Sequence, residues 1–426
     1  MGRQRWETVI HPSSDKVVHF RSDAIPPIDL GRPVASRTLL LSSDALAPDL
    51  APDIDEAYEN VAIDFPLDPI GGDAVIDENS DNWGIGPLGL DARRFWDRGF
   101  RGQGIRIGIA DSGIDVSTST FARLSASHRL GSFAAFGADG GKQIQHGPDG
   151  SVIPDGAAVP TFSHWHGTFC IAIAVGESDG KDRGMAPDAE IVVTQVLQTS
   201  NRGTVASITA GLTWLVDQKC DIVSLSLGWP GLHEEWSVPI AALLSQGAVV
   251  VAASGNQFGV PGAGQSDSPG NYPMGSADAS QGVLISVGAH DQQNHLGDFS
   301  SGESADWSAV RVIGPDGAAR ASKFATTAPQ VVPTMVAPGV EIIGPSPGNQ
   351  YRSESGTSMA TPHVAGLLAL ILSSMRSRNP KATPREAATL LLKSLTPLPP
   401  GQDVIRSGRG RTDLTLLFNN LDEYLG

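Results

Sequence analysis

Three short segments hold the side chains that acyl-transfer chemistry requires. Asp111 ends an apolar run in Ile-Ala-Asp-Ser-Gly, His166 begins a run of small and apolar residues in His-Gly-Thr, and Ser358 lies in Gly-Thr-Ser-Met-Ala-Thr-Pro-His. This chemistry needs a nucleophile, a base that removes its proton, and an acid that orients the base and stabilises its cation. The pattern predicts Ser358 as nucleophile, His166 as general base and Asp111 as orienting acid.

Each segment also has a plainer interpretation. Gly-Thr-Ser is an ordinary start of a helix, Asp-Ser-Gly after a strand is a common turn, and a lone histidine is more often structural. His164 and His166 have the spacing of two metal ligands, but the sequence offers no third. The three segments together, in this order and each in a fitting strand or helix context, argue against chance.

The elements around these residues alternate between strand and helix patterns. Strands are predicted at 105–110, 191–197, 222–227 and 248–253, and helices at 90–96, 205–218 and 239–245. This alternation predicts an α/β fold, with a mainly parallel sheet and helices on both faces. Ligands bind at the carboxyl ends of such strands, where Asp111, Gly228 and Asn256 are predicted to lie.

Helices are also predicted to start at the other two reacting residues. A helix that begins near Ser358 would direct backbone N–H groups at the reacting centre. Pro362 is expected early in that helix, where a missing N–H has little cost. The apolar residues 169–175 are expected to hold the His166 ring rigidly.

These segments together resemble the subtilisin family of serine proteases. Further matching segments are Gly-Met-Ala-Pro at 184–187, Val-Ala-Pro-Gly-Val at 336–340 and Gly-Arg-Gly-Arg-Thr-Asp at 408–413, so the resemblance covers about residues 83–421. It implies a three-layer subtilisin-like sandwich with a mainly parallel central sheet. It also implies hydrolysis of peptide bonds in peptide or protein substrates through an acyl-enzyme intermediate, with no organic cofactor required.

The resemblance implies further site residues as well. Asn256 would supply an oxyanion-hole donor beside the Ser358 backbone N–H. Extended substrate would bind along a first segment, formed by Ser226, Leu227 and Gly228. The side chain before the cleaved bond would lie against a second segment, formed by Ala253, Ser254 and Gly255. In isolation Asn256 is equally a turn residue, and both segments are equally plain strand and turn.

Some residues depart from the family pattern. Trp165 and Ala172 lie where the family usually has glycine, and Phe169 lies where it usually has histidine. A bulky indole beside the histidine is expected to narrow the cleft and change the range of substrates. Cys170 matches a buried cysteine of the proteinase K-like branch, which implies inhibition by mercurials through crowding of His166. Asp267 could face the specificity pocket and select a basic residue, although aspartates in Gly-Ser-Pro-rich loops are usually just solvated.

The N-terminal 82 residues differ from the rest, because they are Pro-rich and dense in carboxylates. We expect a partly irregular N-terminal extension (1–82), with residues 38–41 as its clearest strand, that docks on a larger body. The family resemblance implies that this extension is a propeptide. The peptidase domain is predicted at 83–426, with insertions near 122–161 and 302–333. In the first insertion, residues 143–145 and 151–153 predict a hairpin. Its carboxylates Asp139, Asp149 and Asp155 hint at calcium without forming a strong motif.

Composition and charge argue against nucleic-acid and membrane partners. The 426 residues include 30 lysines and arginines against 46 aspartates and glutamates, a net charge of −16, which disfavours nucleic acid as a partner. The sequence shows neither a signal-peptide core nor an apolar run of membrane-spanning length, so we expect a cytoplasmic location and no membrane partner. A second interpretation is an intracellular protease that processes one partner protein, which docks on the N-terminal segment or the insertions.

Overall fold

The computed structural model describes residues 82–426 apart from short gaps, together with six strands that precede residue 82. The gaps are 122–128, 147–151, 155–161, 179–180, 183, 199–201, 261–264, 274–281 and 314–317. Asp149 and Asp155 of the first insertion therefore lie outside the described residues.

The strands are, in chain order, β1 (Trp6–Ile10), β2 (Lys16–Arg21), β3 (Pro33–Ala35), β4 (Thr38–Leu40), β5 (Ile54–Glu59), β6 (Ala62–Asp64), β7 (Arg106–Asp111), β8 (Leu130–Phe136), β9 (Lys142–His146), β10 (Val152–Pro154), β11 (Glu177–Ser178), β12 (Lys181–Asp182), β13 (Glu190–Gln195), β14 (Arg202–Thr204), β15 (Ile222–Leu225), β16 (Trp229–Pro230), β17 (Val249–Ala253), β18 (Asp267–Ser268), β19 (Leu284–His290), β20 (Glu303–Ala305), β21 (Arg311–Ile313), β22 (Ala319–Ala321), β23 (Gln330–Val332), β24 (Met335–Pro338), β25 (Ile342–Ser346), β26 (Gln350–Glu354), β27 (Leu395–Thr396) and β28 (Arg411–Thr412). The α-helices are α1 (Arg93–Trp96), α2 (Trp165–Val175), α3 (Val205–Asp217), α4 (Ser237–Ser245), α5 (Thr357–Arg378), α6 (Pro384–Lys393) and α7 (Leu414–Leu425).

A nine-stranded sheet forms the centre of the fold, in the order β10-β9-β8-β13-β7-β15-β17-β19-β24. The strands from β8 to β24 in this order run parallel, and β9 and β10 extend the edge as an antiparallel hairpin. The predicted parallel α/β sheet and the predicted hairpin are both confirmed. Sequence patterns placed the strand and helix boundaries within about two residues, except that the predicted helix 90–96 is only the single turn α1.

Side chains alternate along each strand, so the sheet buries apolar residues on both faces. Ile107 and Ile109 of β7 belong to one core cluster with α2 and α5, whereas Ala110 belongs to a second cluster with α3 and α4. The helices therefore form two layers around the sheet, which confirms the predicted three-layer architecture.

Helix α5 lies in the first of these cores. It has 22 residues, and an 18-residue window within it has a mean hydropathy of 1.4. All residues of that window are buried in the fold. By length and composition α5 is the one described helix that could cross a membrane, and its place in the core explains its apolar character.

The N-terminal extension contains more strands than the sequence predicted. Besides β4, which matches the expected strand, β1, β2, β3 and β5 join a five-stranded sheet. Strand β6 pairs antiparallel with β14, immediately before α3, and Ile63 is buried in the core cluster of α3 and α4. The expectation of a partly irregular segment, with residues 38–41 as its clearest strand, did not include the other strands, because each is short and the pairings of β1 with β4, β2 with β5 and β6 with β14 join distant residues.

Candidate active site

Asp111 and His166 form a buried pair at the carboxyl end of β7. Nδ1 of His166 lies 2.9 Å from Oδ1 and 3.0 Å from Oδ2 of Asp111, and both residues are fully buried. Oδ1 also accepts a 2.6 Å hydrogen bond from the Ser112 backbone N–H. When Nδ1 carries its proton and donates to the carboxylate, Nε2 of the neutral ring is the nitrogen that can accept a further proton.

Ser112 fixes α2, and with it His166, to the end of β7. Its Oγ accepts from the Gly167 N–H at 2.9 Å and donates to the His164 carbonyl at 3.0 Å, and the N-cap residue His164 makes no side-chain cap of its own. A methyl group on Gly167 would lie 2.2 Å from the Gly113 carbonyl oxygen, so only glycine permits this close approach of helix and strand end.

The charge on Asp111 controls the pKa of His166. Burial lowers that pKa, but the Asp111 carboxylate, with a smaller contribution from Cys170, raises it well above its ordinary value. The imidazolium form of His166 is thus strongly stabilised beside Asp111.

Ser358 is the second residue of α5 and is buried near His166. Its Oγ donates to the Ser226 carbonyl at 3.3 Å, and within the described residues it forms no hydrogen bond with His166. The predicted bond between nucleophile and base is therefore not made in this rotamer. A rotation about the Cα–Cβ bond of Ser358 would be needed to redirect the hydroxyl, and unliganded sites often show such loose geometry.

Pro362 is the sixth residue of α5, beyond the first turn, so its missing N–H does remove one hydrogen bond of the helix. A residue with an N–H at that position would bond the Ser358 carbonyl. Two side chains donate to that carbonyl instead: Ser226 Oγ at 2.8 Å and Cys170 Sγ at 3.5 Å. These bonds fix the backbone of the nucleophile to β15 and α2.

Cys170 lies directly beneath the histidine ring. Its Sγ is 3.8 Å from both ring nitrogens of His166, and burial raises the pKa of the thiol, which keeps it neutral. Asp111, His166 and Cys170 place potential metal-ligand atoms within 4.8 Å of one another. Because His166 Nδ1 is already bonded to Asp111, a metal there would compete with that pair. The expected inhibition by mercurials stays a prediction, and this proximity supports it.

Asn256 caps α5 from the end of β17. Its Oδ1 accepts from the Thr357 N–H at 2.8 Å and from Thr357 Oγ1 at 2.9 Å, which replaces the side-chain cap that Gly356 cannot provide. A methyl group on Gly356 would lie 3.5 Å from Asn256 Nδ2 and 3.7 Å from the Ser358 backbone nitrogen. Both nitrogens, together with Met359 Sδ at 3.3 Å, therefore lie close to the same point beside Gly356.

The two predicted substrate segments lie on either side of Asp267. Ser226 contacts Ser358 as described above, and Leu227 is buried in a core cluster, so only the backbone of Leu227 is available to substrate. Ser254 also points away from the gap, because its Oγ donates to the Ser301 carbonyl at 3.0 Å. Gly228 and Gly255 line the gap itself, and a methyl group on either would contact Asp267.

Sequence reasoning identified neither Ser112 nor Thr357 as a positioning residue. Their local sequences, Asp-Ser-Gly and Gly-Thr-Ser, were noted only as a turn and a helix start. Trp165 packs edge-on against His166, with ring centroids 5.6 Å apart, and the Arg352 guanidinium lies 3.9 Å over the Trp165 ring. The structure thus places a bulky indole beside the histidine, and its effect on substrate range stays a prediction.

Comparison with known proteins identifies the family. Residues 102–411 match the model of the subtilase family, peptidase S8. The chain is 30% identical to M-protease of Shouchella clausii (strain KSM-K16) over 79% of this chain and 70% of that protein. It is 31% identical to Subtilisin Savinase of Lederbergia lenta, over 70% of this chain and 85% of that protein. It is 29% identical to the major intracellular serine protease of Bacillus subtilis (strain 168), over 72% of this chain and 81% of that protein.

The names of these relatives do not indicate a role in processing one partner protein, so that interpretation gains no support. The chain belongs to the subtilase family and is a subtilisin-like serine endopeptidase.

Proposed function

We propose that Ser358, His166 and Asp111 form the catalytic triad and that Asn256 completes the oxyanion hole. The buried Asp111–His166 pair, with both carboxylate oxygens within 3.0 Å of Nδ1, is the observation that supports this most. An isolated structural histidine has no need of a buried carboxylate that stabilises its charged form.

In the proposed mechanism, Ser358 Oγ turns from the Ser226 carbonyl towards Nε2 of His166 and attacks the substrate carbonyl. His166 accepts the hydroxyl proton and then gives it to the leaving amine, while Asp111 stabilises the imidazolium. The oxyanion of the tetrahedral intermediate accepts from Asn256 Nδ2 and the Ser358 N–H. Water, deprotonated by His166, then releases the acyl group.

Active-site labelling tests this assignment. A fluorophosphonate probe is expected to label the intact protein at one residue, mapped by mass spectrometry to Ser358, and Ser358→Ala is expected to abolish labelling. The matched control is Ser373→Ala, which removes a buried hydroxyl from the same helix, about four turns from the site, where it donates only to the Leu370 carbonyl at 3.0 Å; labelling should be unchanged. Persistent labelling of Ser358→Ala at another residue would refute Ser358 as the nucleophile.

We propose that substrates are peptides or proteins that bind in extended form along Ser226, Leu227 and Gly228, adding a strand through backbone hydrogen bonds. No organic cofactor enters these steps. Calcium at the first insertion stays an expectation; Asp139, its one described carboxylate, accepts through Oδ1 from the Gly141 N–H at 2.9 Å.

We further propose that residues 1–82 dock on the peptidase domain and assist its folding or restrain its activity. The pairing of β6 with β14 and the burial of Ile63 beside α3 support this. Deleting residues 1–80 is expected to lower the refolding yield or to raise peptidase activity, and adding the free segment in trans is expected to reverse the change. Unchanged yield and activity after deletion would contradict the proposal.

We also propose that the protein works in the cytoplasm. Its similarity to the major intracellular serine protease of Bacillus subtilis supports this location. Activity labelling after cell fractionation tests it, and labelled protein confined to the culture medium would contradict it.

A further inference from the structure

Asp267 carries a buried carboxylate in the gap between the two proposed substrate segments. A methyl group on Gly228 would lie 2.8 Å from Asp267 Oδ2, and one on Gly255 would lie 2.5 Å from Oδ1. The backbone holds the residue there: the Asp267 N–H donates to the Ser254 carbonyl at 2.9 Å, and β18 pairs with β16 just after Gly228.

Both segments that border Asp267 continue to residues of the reacting centre. Gly255 precedes the proposed oxyanion donor Asn256, and Gly228 follows two residues after Ser226, whose carbonyl accepts from Ser358 Oγ. In the proposed binding mode, the substrate side chain before the cleaved bond lies against residues 253–255, where lysine or arginine would bring a cation towards Asp267.

Among the described residues, one of the two oxygens of the Asp267 carboxylate accepts a hydrogen bond. Asp267 is 5% exposed, its Oδ1 accepts from Gln257 Nε2, and Oδ2 has no donor among the residues that the structure describes. Within the same part of the chain, no lysine, arginine or histidine forms an ion pair with it. A buried carboxylate without a cation is costly, so the site is built to gain from one.

The surroundings increase that demand for positive charge. Burial raises the pKa of Asp267 to about 7; the Gln257 hydrogen bond opposes this shift, and the nearby charge of Glu303 adds to it. Glu303 lies in β20 of the second insertion and accepts from Ser266 Oγ, next to Asp267. An apolar substrate side chain would leave both acids without a cation, whereas an ammonium or guanidinium would neutralise the pocket.

Resting on the proposed function, we propose that Asp267 is a specificity-determining residue that selects lysine or arginine immediately before the cleaved bond. Because Gly228 and Gly255 have no side chains, the Asp267 carboxylate packs directly against both backbones, and a larger residue at either position would displace it. Gln257 Nε2 lies beside Gly255 as well, but it is neutral, so Asp267 supplies the charge that would select a cation.

Cleavage of a mixed peptide library, read by mass spectrometry, tests the proposal. The wild-type protein is expected to cleave after lysine and arginine about 100-fold more efficiently than after leucine or phenylalanine, judged by kcat/KM on matched peptides. Asp267→Asn keeps the shape and the Gln257 contact, and it is expected to remove most of this preference while efficiency after leucine changes little. Asp306→Asn removes an exposed carboxylate close to β20 and should leave the profile unchanged.

Fluorophosphonate labelling of Ser358 in each variant separates this proposal from the proposed function. A labelled wild-type enzyme that cleaves equally well after apolar residues overturns the role of Asp267 and leaves the triad intact. Retained basic preference in a labelled Asp267→Asn variant does the same. Absence of both labelling and cleavage in the wild-type protein overturns both proposals. If Asp267→Asn fails to fold, the wild-type preference alone decides the outcome.

Discussion

Replacing His166 with alanine is expected to lower kcat by about 10⁶-fold, the size of the equivalent loss measured in subtilisin. The imidazole is the proposed acceptor of the Ser358 proton, and Ser358 Oγ has only the Ser226 carbonyl as an alternative partner. A carbonyl cannot remove a proton from a hydroxyl, so the nucleophile would stay a neutral alcohol. Single-turnover and steady-state kinetics on one peptide substrate measure the loss.

Two further variants make this a test of the triad rather than of folding. Ser358→Ala with His166→Ala should lose no more activity than either alone, because residues that act as a unit are not additive. Asp111→Asn keeps the shape but not the charge, and the smaller loss expected for it is about 10⁴-fold. Additive losses in the double variant, with folding intact by circular dichroism, would contradict a shared catalytic unit.

The Asp111→Asn variant also has a distinct pH signature. Catalysis requires neutral His166, and the Asp111 charge raises the pKa of that residue well above its ordinary value, so wild-type activity should rise with pH through this raised pKa. Without the carboxylate the pKa falls, and the acid limb of kcat/KM should move to lower pH. An acid limb that stays in place would argue against Asp111 as the partner of the catalytic histidine.

The sequence predicted the sheet and the three candidate triad residues, because both depend on local patterns. Strand β7 is apolar and ends at an acid, and each proposed catalytic helix begins within a short motif. The hydrogen bonds that join these motifs lie outside local sequence: Ser112 caps the helix of His166 from 55 residues away, and Asn256 caps the helix of Ser358 from 101 residues away. No periodicity or composition reports such pairings.

Two further features also depend on distant contacts. Pro362 was expected early in its helix at little cost, and the structure adds that its missing N–H frees the Ser358 carbonyl for Ser226 and Cys170. Asp267 lies in a loop rich in glycine, serine and proline, a composition typical of solvated residues. The antiparallel pairing of β18 with β16, together with the bond from the Asp267 N–H to the Ser254 carbonyl, buries it between Gly228 and Gly255.

Removing the side-chain donor of Asn256 is expected to lower kcat by about 10²- to 10³-fold with little change in KM. Asn256 Nδ2 and the Ser358 nitrogen lie close to one point beside Gly356, where we propose that the oxyanion forms, and substrate in its ground state should gain little from them. Asn256→Ala removes the donor, but it also removes the Oδ1 acceptor that caps α5 at Thr357. That variant should therefore lose stability as well as activity, by about 1 kcal/mol for a lost helix cap.

Asn256→Asp separates the two roles of this side chain. It retains an oxygen for the Thr357 N–H, so the cap on α5 survives and the thermal midpoint should stay close to that of the wild type. The second oxygen replaces the Nδ2 donor and places negative charge against the developing oxyanion, so kcat should fall at least as far as in Asn256→Ala. Thermal unfolding and peptide kinetics on both variants decide the matter. If Asn256→Asp unfolds normally and keeps wild-type kcat, Asn256 serves only to cap the helix, and the oxyanion must bind elsewhere.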